Sequence, residues 1–290
     1  MTVGFIGFGE ADSSIALGLH GEGVEEILYF DAMQNDPRFS EKIKAKGDAA
    51  GAEQCASAAE VARRAQVIFS AVPSNFAVSA AEGALDGVHE GLIYTDVSTA
   101  TPADKRSISD MIAARGGAYV DGAMMGPLLQ DKHKVSMLLS GKASQRLKDA
   151  MAPYNMRMTV VGDVPGVATS MKFIRSIYAK GISTLFIELF LAAQKFGVEE
   201  DIVASLVNTY GEDIVNVIDR NLSGSILHAD RREHEMQNVV DFLKSEGLPF
   251  TMSEATRETL AWARDMKIKD NFEGGEVPRD WHGVLAGWKM

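Results

Sequence analysis

The stretch that most constrains this chain is the apolar segment opening at Pro165, PGVATSMKFIRSIYAKGISTLFIELFLAAQKFG. It runs about thirty residues without an internal proline, and its apolar residues lie on nearly every side. A helix that is apolar all round is buried. Lys172, Arg175, Lys180 and Glu188 interrupt the run, which leaves it too polar for a membrane span. The stretch therefore predicts the long central helix of a soluble protein. Lysines on helices are normally solvated or snorkel to the surface. Lys172, set in so apolar a helix, either snorkels or has a task.

The rest of the chain must supply that helix with partners. With 290 residues there is room for two domains or one large one. The net charge of −11 argues against nucleic acid and against an anionic membrane surface. The lone cysteine, Cys55, excludes an internal disulfide and a cysteine-built metal site. The histidines show no metal-ligand spacing, so no metal is expected. The N-terminus enters strand and turn without a basic leader, which points to the cytoplasm.

Before Pro165 strands and helices alternate. Val3 to Ile6, Ile27 to Phe30, Val67 to Val72, Leu92 to Thr95, Ala118 to Val120, Val135 to Leu139 and Met158 to Val161 read as strands. Helices are expected near Ala11 to Leu19, Ser40 to Lys46, Ala58 to Ala65, Pro102 to Arg115 and Ser144 to Met151. Such alternation predicts an α/β fold, with a parallel sheet covered on both faces. Beyond Pro165 the pattern is almost wholly helical. The expected organisation is a Rossmann-type doubly wound domain over 1–164 and an all-α domain over 165–290 that begins with the long helix.

The first chemical motif is GFIGFGEADSS. Gly7 and Gly9 follow a strand and precede a helix, the context of a dinucleotide fingerprint. Gly7 permits the tight turn, and Gly9 lets backbone approach a pyrophosphate at the helix N-terminus. Asp31, closing the next strand, is placed to bind ribose hydroxyls and to repel a 2′-phosphate, which favours NAD over NADP. The third fingerprint glycine is replaced by Asp12. A carboxylate roughly 6 Å from a phosphate charge costs on the order of 3 kcal/mol at an effective dielectric constant near 20. Asp12 either weakens cofactor binding in this way or turns aside into water.

GFIGFGEA, DVSTATP (Asp96 to Pro102), VDGAMMGP (Val120 to Pro127) and GVATSMKFIRS (Gly166 to Ser176) occur in the order and approximate spacing of the β-hydroxyacid dehydrogenases. The chain resembles that family, which includes 6-phosphogluconate and 3-hydroxyisobutyrate dehydrogenases. HADRREHEM (His228 to Met236) and LPFTMSEAT (Leu248 to Thr256) look like its branch with a divergent C-terminal helical domain. The resemblance implies that Lys172 is the catalytic lysine, exchanging the hydroxyl proton as hydride leaves or reaches carbon. Ser176, one turn on, stands where the family usually has asparagine. The expected cofactor site is the loop Gly7, Phe8, Gly9, Glu10 and Ala11 with Asp31, together with Val72, Pro73 and Thr99. Ser98 and Thr99 match the substrate-binding DxST pattern, Thr101 being the better helix cap. Gly122, Ala123, Met124 and Met125 fall on a substrate loop, where the methionines replace valine and serine and suggest a bulkier or less polar substrate. His228 and Arg231, on one helical face with Arg232 and Glu235, are a candidate anion site or a solvated ion-paired face.

The reading is an NAD-dependent oxidoreductase acting on a hydroxyl-bearing carbon of a small-molecule substrate, dimeric through the apolar helix. Three alternatives stay open: an imine reductase, against which Lys172 argues; a non-redox lyase using Lys172; and a nucleotide-binding module without catalysis.

Overall fold

The computed structural model describes residues 1–288, so Lys289 and Met290 lie outside it. The chain divides into two compact units, Met1–Lys172 and Phe173–Met290.

The first unit is built on one eight-stranded sheet. Its strands are β1 (Thr2–Ile6), β2 (Glu26–Phe30), β3 (Glu53–Gln54), β4 (Val67–Ser70), β5 (Ile93–Asp96), β6 (Ala118–Met124), β7 (Met137–Ser140) and β8 (Met158–Gly162). Their spatial order is β3-β2-β1-β4-β5-β6-β7-β8. The connecting helices are α1 (Glu10–Gly21), α2 (Ser40–Ala49), α3 (Ala58–Arg64), α4 (Ala77–Ala84), α5 (Pro102–Ala114), α6 (Leu128–Asp131) and α7 (Ser144–Met151). Successive strand residues point to opposite faces. Val3, Phe5, Tyr29, Val67 and Phe69 accordingly join one core with Ile15 and Leu19 of α1. Leu28, Ile68 and Tyr94 join another with Val61, Ala81 and Ile108 of α3, α4 and α5. Both faces are covered, as a mainly parallel sheet requires.

The sheet departs from an all-parallel one at β7. Residues Asp121 to Met124 of β6 pair antiparallel with Ser140 to Met137, and β8 runs parallel to β7. The link between β6 and β7 carries only the four-residue α6, too little for a right-handed crossover helix. The pairing also extends β6 through Met124, where a loop is expected after Val120. β4, conversely, stops at Ser70 instead of Val72, because the Ala71 N–H is taken by the Asp12 carboxyl. α4 has no counterpart in the sequence reading. Its AVSAAEGA is rich in small residues, and its buried positions are alanines without a large apolar stripe.

The long helix α8 spans Val167–Phe196. By length and composition alone it meets the test for a membrane span, and in the structure it is part of protein cores. Its last turns, with Phe186, Ile187 and Phe190, are buried in the core of the second unit with Ile218, Leu222, Trp281 and Trp288. That unit adds α9 (Glu199–Tyr210), α10 (Asp213–Leu227), α11 (Ala229–Ser245), α12 (Thr251–Asp265) and α13 (Trp281–Gly287). The expectation that α8 is buried all round does not hold: Ile174, Tyr178 and Leu185 are 57%, 73% and 56% exposed.

The joint that sets the first unit's working edge is a buried lysine. Lys105, on α5, is 0% exposed. Its ammonium donates to the Asp96 main-chain oxygen at 2.8 Å and lies 3.1 Å from Asp96 Oδ1 and 3.4 Å from Asp121 Oδ1. Asp96 and Asp121 face each other in the β5–β6 register. The same Asp96 Oδ1 accepts the Ser98 N–H at 2.9 Å, which shapes the turn after β5. Asp121 in turn caps α8, accepting from Gly166 N–H, Thr169 N–H and the Thr169 hydroxyl at 3.0, 3.1 and 2.6 Å. Ser140 completes the cap, donating to Asp121 and accepting the Ala168 N–H. Removing one partner of a buried charge cluster costs about 3–5 kcal/mol, because the remaining charges are left uncompensated. Lys105→Met is therefore expected to lower the unfolding free energy by about that amount in urea titration. A loss below 1 kcal/mol would show that Asp96 and Asp121 do not need the ammonium.

Candidate functional site

A cavity of about 420 Å³ opens at the strand ends of the first unit, bordered by Gly7, Gly9, Asp31, Val72 and Pro73. Gly7 has φ +85, and a Cβ there would stand 2.8 Å from Val72 Cγ1. Gly9 precedes α1 without any side-chain cap, and a Cβ on it would meet nothing within 4 Å. The first N–H groups of α1 are thus left for a ligand, and the space above the loop is open. Both features fit a pyrophosphate at a helix N-terminus. Asp31 is locked in place: Oδ2 accepts the Phe8 N–H at 2.7 Å and Oδ1 the Met33 N–H at 2.8 Å. A carboxylate fixed at the cavity wall suits ribose hydroxyls.

Other expected cofactor residues are placed differently. The Phe8 ring is fully buried and stacks on Tyr29 at 4.2 Å, so only its backbone serves the loop. Glu10 and Ala11 open α1. Asp12 neither faces outward nor turns into water. It is 1% exposed, and its Oδ2 accepts the Ala71 N–H at 3.0 Å. Burial, and then the nearby Asp31 and Asp96 carboxylates, push its acid dissociation well above the usual range against the Ala71 bond.

On the substrate side, Ser98 is buried and accepts the Ala100 N–H at 3.2 Å, a serine turn that orders the segment before Thr101. Thr101 caps α5 in a capping box with Asp104, as expected, so the cap does not consume Ser98 or Thr99. Gly122 and Ala123 lie buried within β6, whereas Met124 and Met125 are partly exposed at its end. Lys172 is the sixth residue of α8, about one turn beyond Thr169, which the Asp121–Ser140 cap holds.

In the second unit Ser176 is joined by a neighbour that spacing alone understates. Lys180 reaches back one turn, donating to Ser176 Oγ at 3.2 Å and pairing with Glu235 at 2.8 Å. Arg231 sits 3.8 Å from Glu235 and is 63% exposed. Arg232 donates to Ser225 and Ser183 hydroxyls at 2.8 and 3.3 Å. Burial, then Arg231, Arg232 and Lys269, lower the His228 pKa. The candidate anion cluster is thus partly paired internally.

Sequence reasoning missed Lys105. Its signal is its place on α5: Lys105, Ile108 and Ile112 recur at helical spacing and are all buried, so a lysine occupies a core position. Two aspartates facing each other on neighbouring strands supply its counter-charge.

Comparison with known proteins places this geometry. A profile for the NAD binding domain of 6-phosphogluconate dehydrogenase matches residues 2–162, more than half of the chain. The chain belongs to the β-hydroxyacid dehydrogenase family. The fold recurs over nearly the whole chain: a conserved protein from Sinorhizobium meliloti is 31% identical, covering 99% of this chain and 95% of its own, with a TM-score of 0.82. Another conserved protein, described as structurally similar to 3-hydroxyacid dehydrogenases, is 30% identical over 92% of this chain and 98% of its own, with a TM-score of 0.78. Human mitochondrial 3-hydroxyisobutyrate dehydrogenase is 30% identical over 128 residues, 43% of this chain and 36% of that protein. Residues 193–263 match a domain of unknown function, DUF1932. The family's NAD-binding domain is the unit that holds the cavity at Gly7, Gly9 and Asp31.

Gly7→Ala is expected to weaken NADH binding. The positive φ costs about 1–3 kcal/mol, and the Val72 contact must also yield. A titration with NADH should show roughly a tenfold or greater rise in Kd; an unchanged Kd would mean the turn tolerates a Cβ.

Proposed function

We propose that the protein transfers hydride between NAD and a hydroxyl-bearing carbon of a hydroxyacid-like or bulkier alcohol, with Lys172 as general acid/base. The observation that supports this reading is that Lys172 lies in the first turns of a helix whose N-terminus is tied to Asp121, the strand partner of Asp96. The bound nicotinamide supplies the hydride acceptor or donor. All other roles fall to the chain. Gly7, Gly9 and Asp31 hold the dinucleotide. The Ser98 hydroxyl, together with Thr99, orients the substrate's polar group. Lys172 takes the hydroxyl proton in oxidation and returns it in reduction. Ser176 accepts from Lys180, which leaves its O–H to donate to the substrate oxygen. Met124 and Met125 give a soft, apolar wall suited to a larger substrate than a three-carbon acid. Arg231 has a subsidiary role, offering positive potential for an anionic substituent.

Lys172→Met is expected to reduce kcat about 10²–10⁴-fold while NADH still binds. The substrates are a panel of 3-hydroxyacids and aryl alcohols. Undiminished turnover in the variant would remove Lys172 from the chemistry. Asp31 favours NADH: NADPH should bind at least tenfold more weakly, and equal affinities would reverse the NAD assignment.

We also infer a homodimer through α8. Ile174, Tyr178, Gly181 and Leu185 recur at four-, three- and four-residue steps, the spacing of a helix–helix seam. Tyr178, Gly181 and Leu185 border a mainly apolar groove of about 560 Å³ with Leu206, Tyr210 and Met252. A second copy's α8 is the occupant of matching chemistry. Sedimentation equilibrium should give a dimer, and Tyr178→Glu a monomer; a monomeric wild type would refute the seam.

A further inference from the structure

We propose that Asp12 is a positioning residue for the cofactor, a carboxyl strut between α1 and the end of β4 that holds the Ala71–Val72–Pro73 lip of the nucleotide cavity. The proposal rests on the reading of that cavity as the NAD site and adds to it a residue that stands where the fingerprint has a glycine.

The geometry is specific. Asp12 lies in the first turn of α1, at the N-terminus that faces the cavity. Its Oδ2 accepts the N–H of Ala71, the first residue after β4. Ala71, Val72 and Pro73 all border the cavity, and Val72 packs over Gly7. The carboxyl therefore ties the two sides of the cavity floor together, where a glycine would leave the Ala71 N–H without this acceptor. Oδ1 is buried with no hydrogen-bond partner among the described residues.

Such a strut works when it is neutral. The charged groups acting on Asp12 are Asp31 at the end of β2 and Asp96 at the end of β5, both anionic, and the buried Tyr94 phenol lies near enough to feel it. Burial and these neighbours favour the protonated acid, which also removes the charge repulsion expected between position 12 and a pyrophosphate. The sign follows. The folded-state pKa is raised above the unfolded value of about 4, so folding favours proton uptake. The associated penalty is absent at low pH and grows as pH rises from the unfolded pKa toward the folded one.

The test is NADH titration by fluorescence on wild type, Asp12→Asn and Asp12→Gly across pH 6 to 9, with exchange of the Ala71 amide followed in parallel. Asp12→Asn keeps the acceptor without a titrating proton. It should bind NADH within about twofold of wild type at pH 7 and exceed wild type in Tm by a margin that widens as pH rises. Its Kd should also stay flat where the wild-type Kd climbs with pH. Asp12→Gly should raise the NADH Kd at least fivefold and speed Ala71 exchange. Tighter or equal binding by Asp12→Gly, or an Asn variant that follows the wild-type pH curve, overturns the strut. Wild type that binds no NADH sinks the dehydrogenase reading itself. In that event Ala71 protection lost with Gly and kept with Asn still supports the tie between α1 and β4, and unchanged protection refutes it.

Discussion

The working edge of this protein depends on one ammonium group removed from water. A lysine buried without counter-charge is driven to neutralise or to unfold its surroundings. Lys105 avoids both by standing between Asp96 and Asp121, and each aspartate has a second occupation. Asp96 shapes the turn that carries Ser98 and Thr99. Asp121 holds the first turn of α8. The turn and the helix are thus not independent features that happen to lie at one edge. They share a single electrostatic joint, and a change in either is felt by the other through low-dielectric contacts that water does not screen.

Much of this was legible because strand–glycine–helix order and buried-strand runs are written in short-range patterns. The Gly7–Gly9 turn, the capping box at Thr101 and the start of α8 each rest on residues adjacent in sequence. What escaped rests on residues far apart. The reversal of β7 depends on how little chain joins it to β6, and α4 has no large apolar residues to mark a period. Asp12 is instructive: charge arithmetic on the sequence offered repulsion or solvent, and the structure chose burial against Ala71, fifty-nine positions away. Lys180 shows the same limit, since a long side chain that folds back one turn acts where its Cα is not.

The second unit shows where burial and exposure part company on one helix. α8 is apolar over most of its circumference, yet the side bearing Ile174, Tyr178 and Leu185 faces outward while Phe186, Ile187 and Phe190 lie in the core. Periodicity identified the helix; only three dimensions distinguish the side that folds the unit from the side left exposed.

The β6–β7 register has a further consequence. β1, β4 and β5 end at Ile6, Ser70 and Asp96, level with Asp121, whereas β6 continues to Met124 with β7 folded back along it. Three extra residues at about 3.3 Å each make a ledge on the order of 10 Å high above the rim. Met124 and Met125 form its crest. A ledge supported by its own hairpin pairing can change its crest residues without disturbing the sheet beneath. The identity of the crest residues and the stability of the scaffold are therefore separable properties in this chain, open to divergence at different rates.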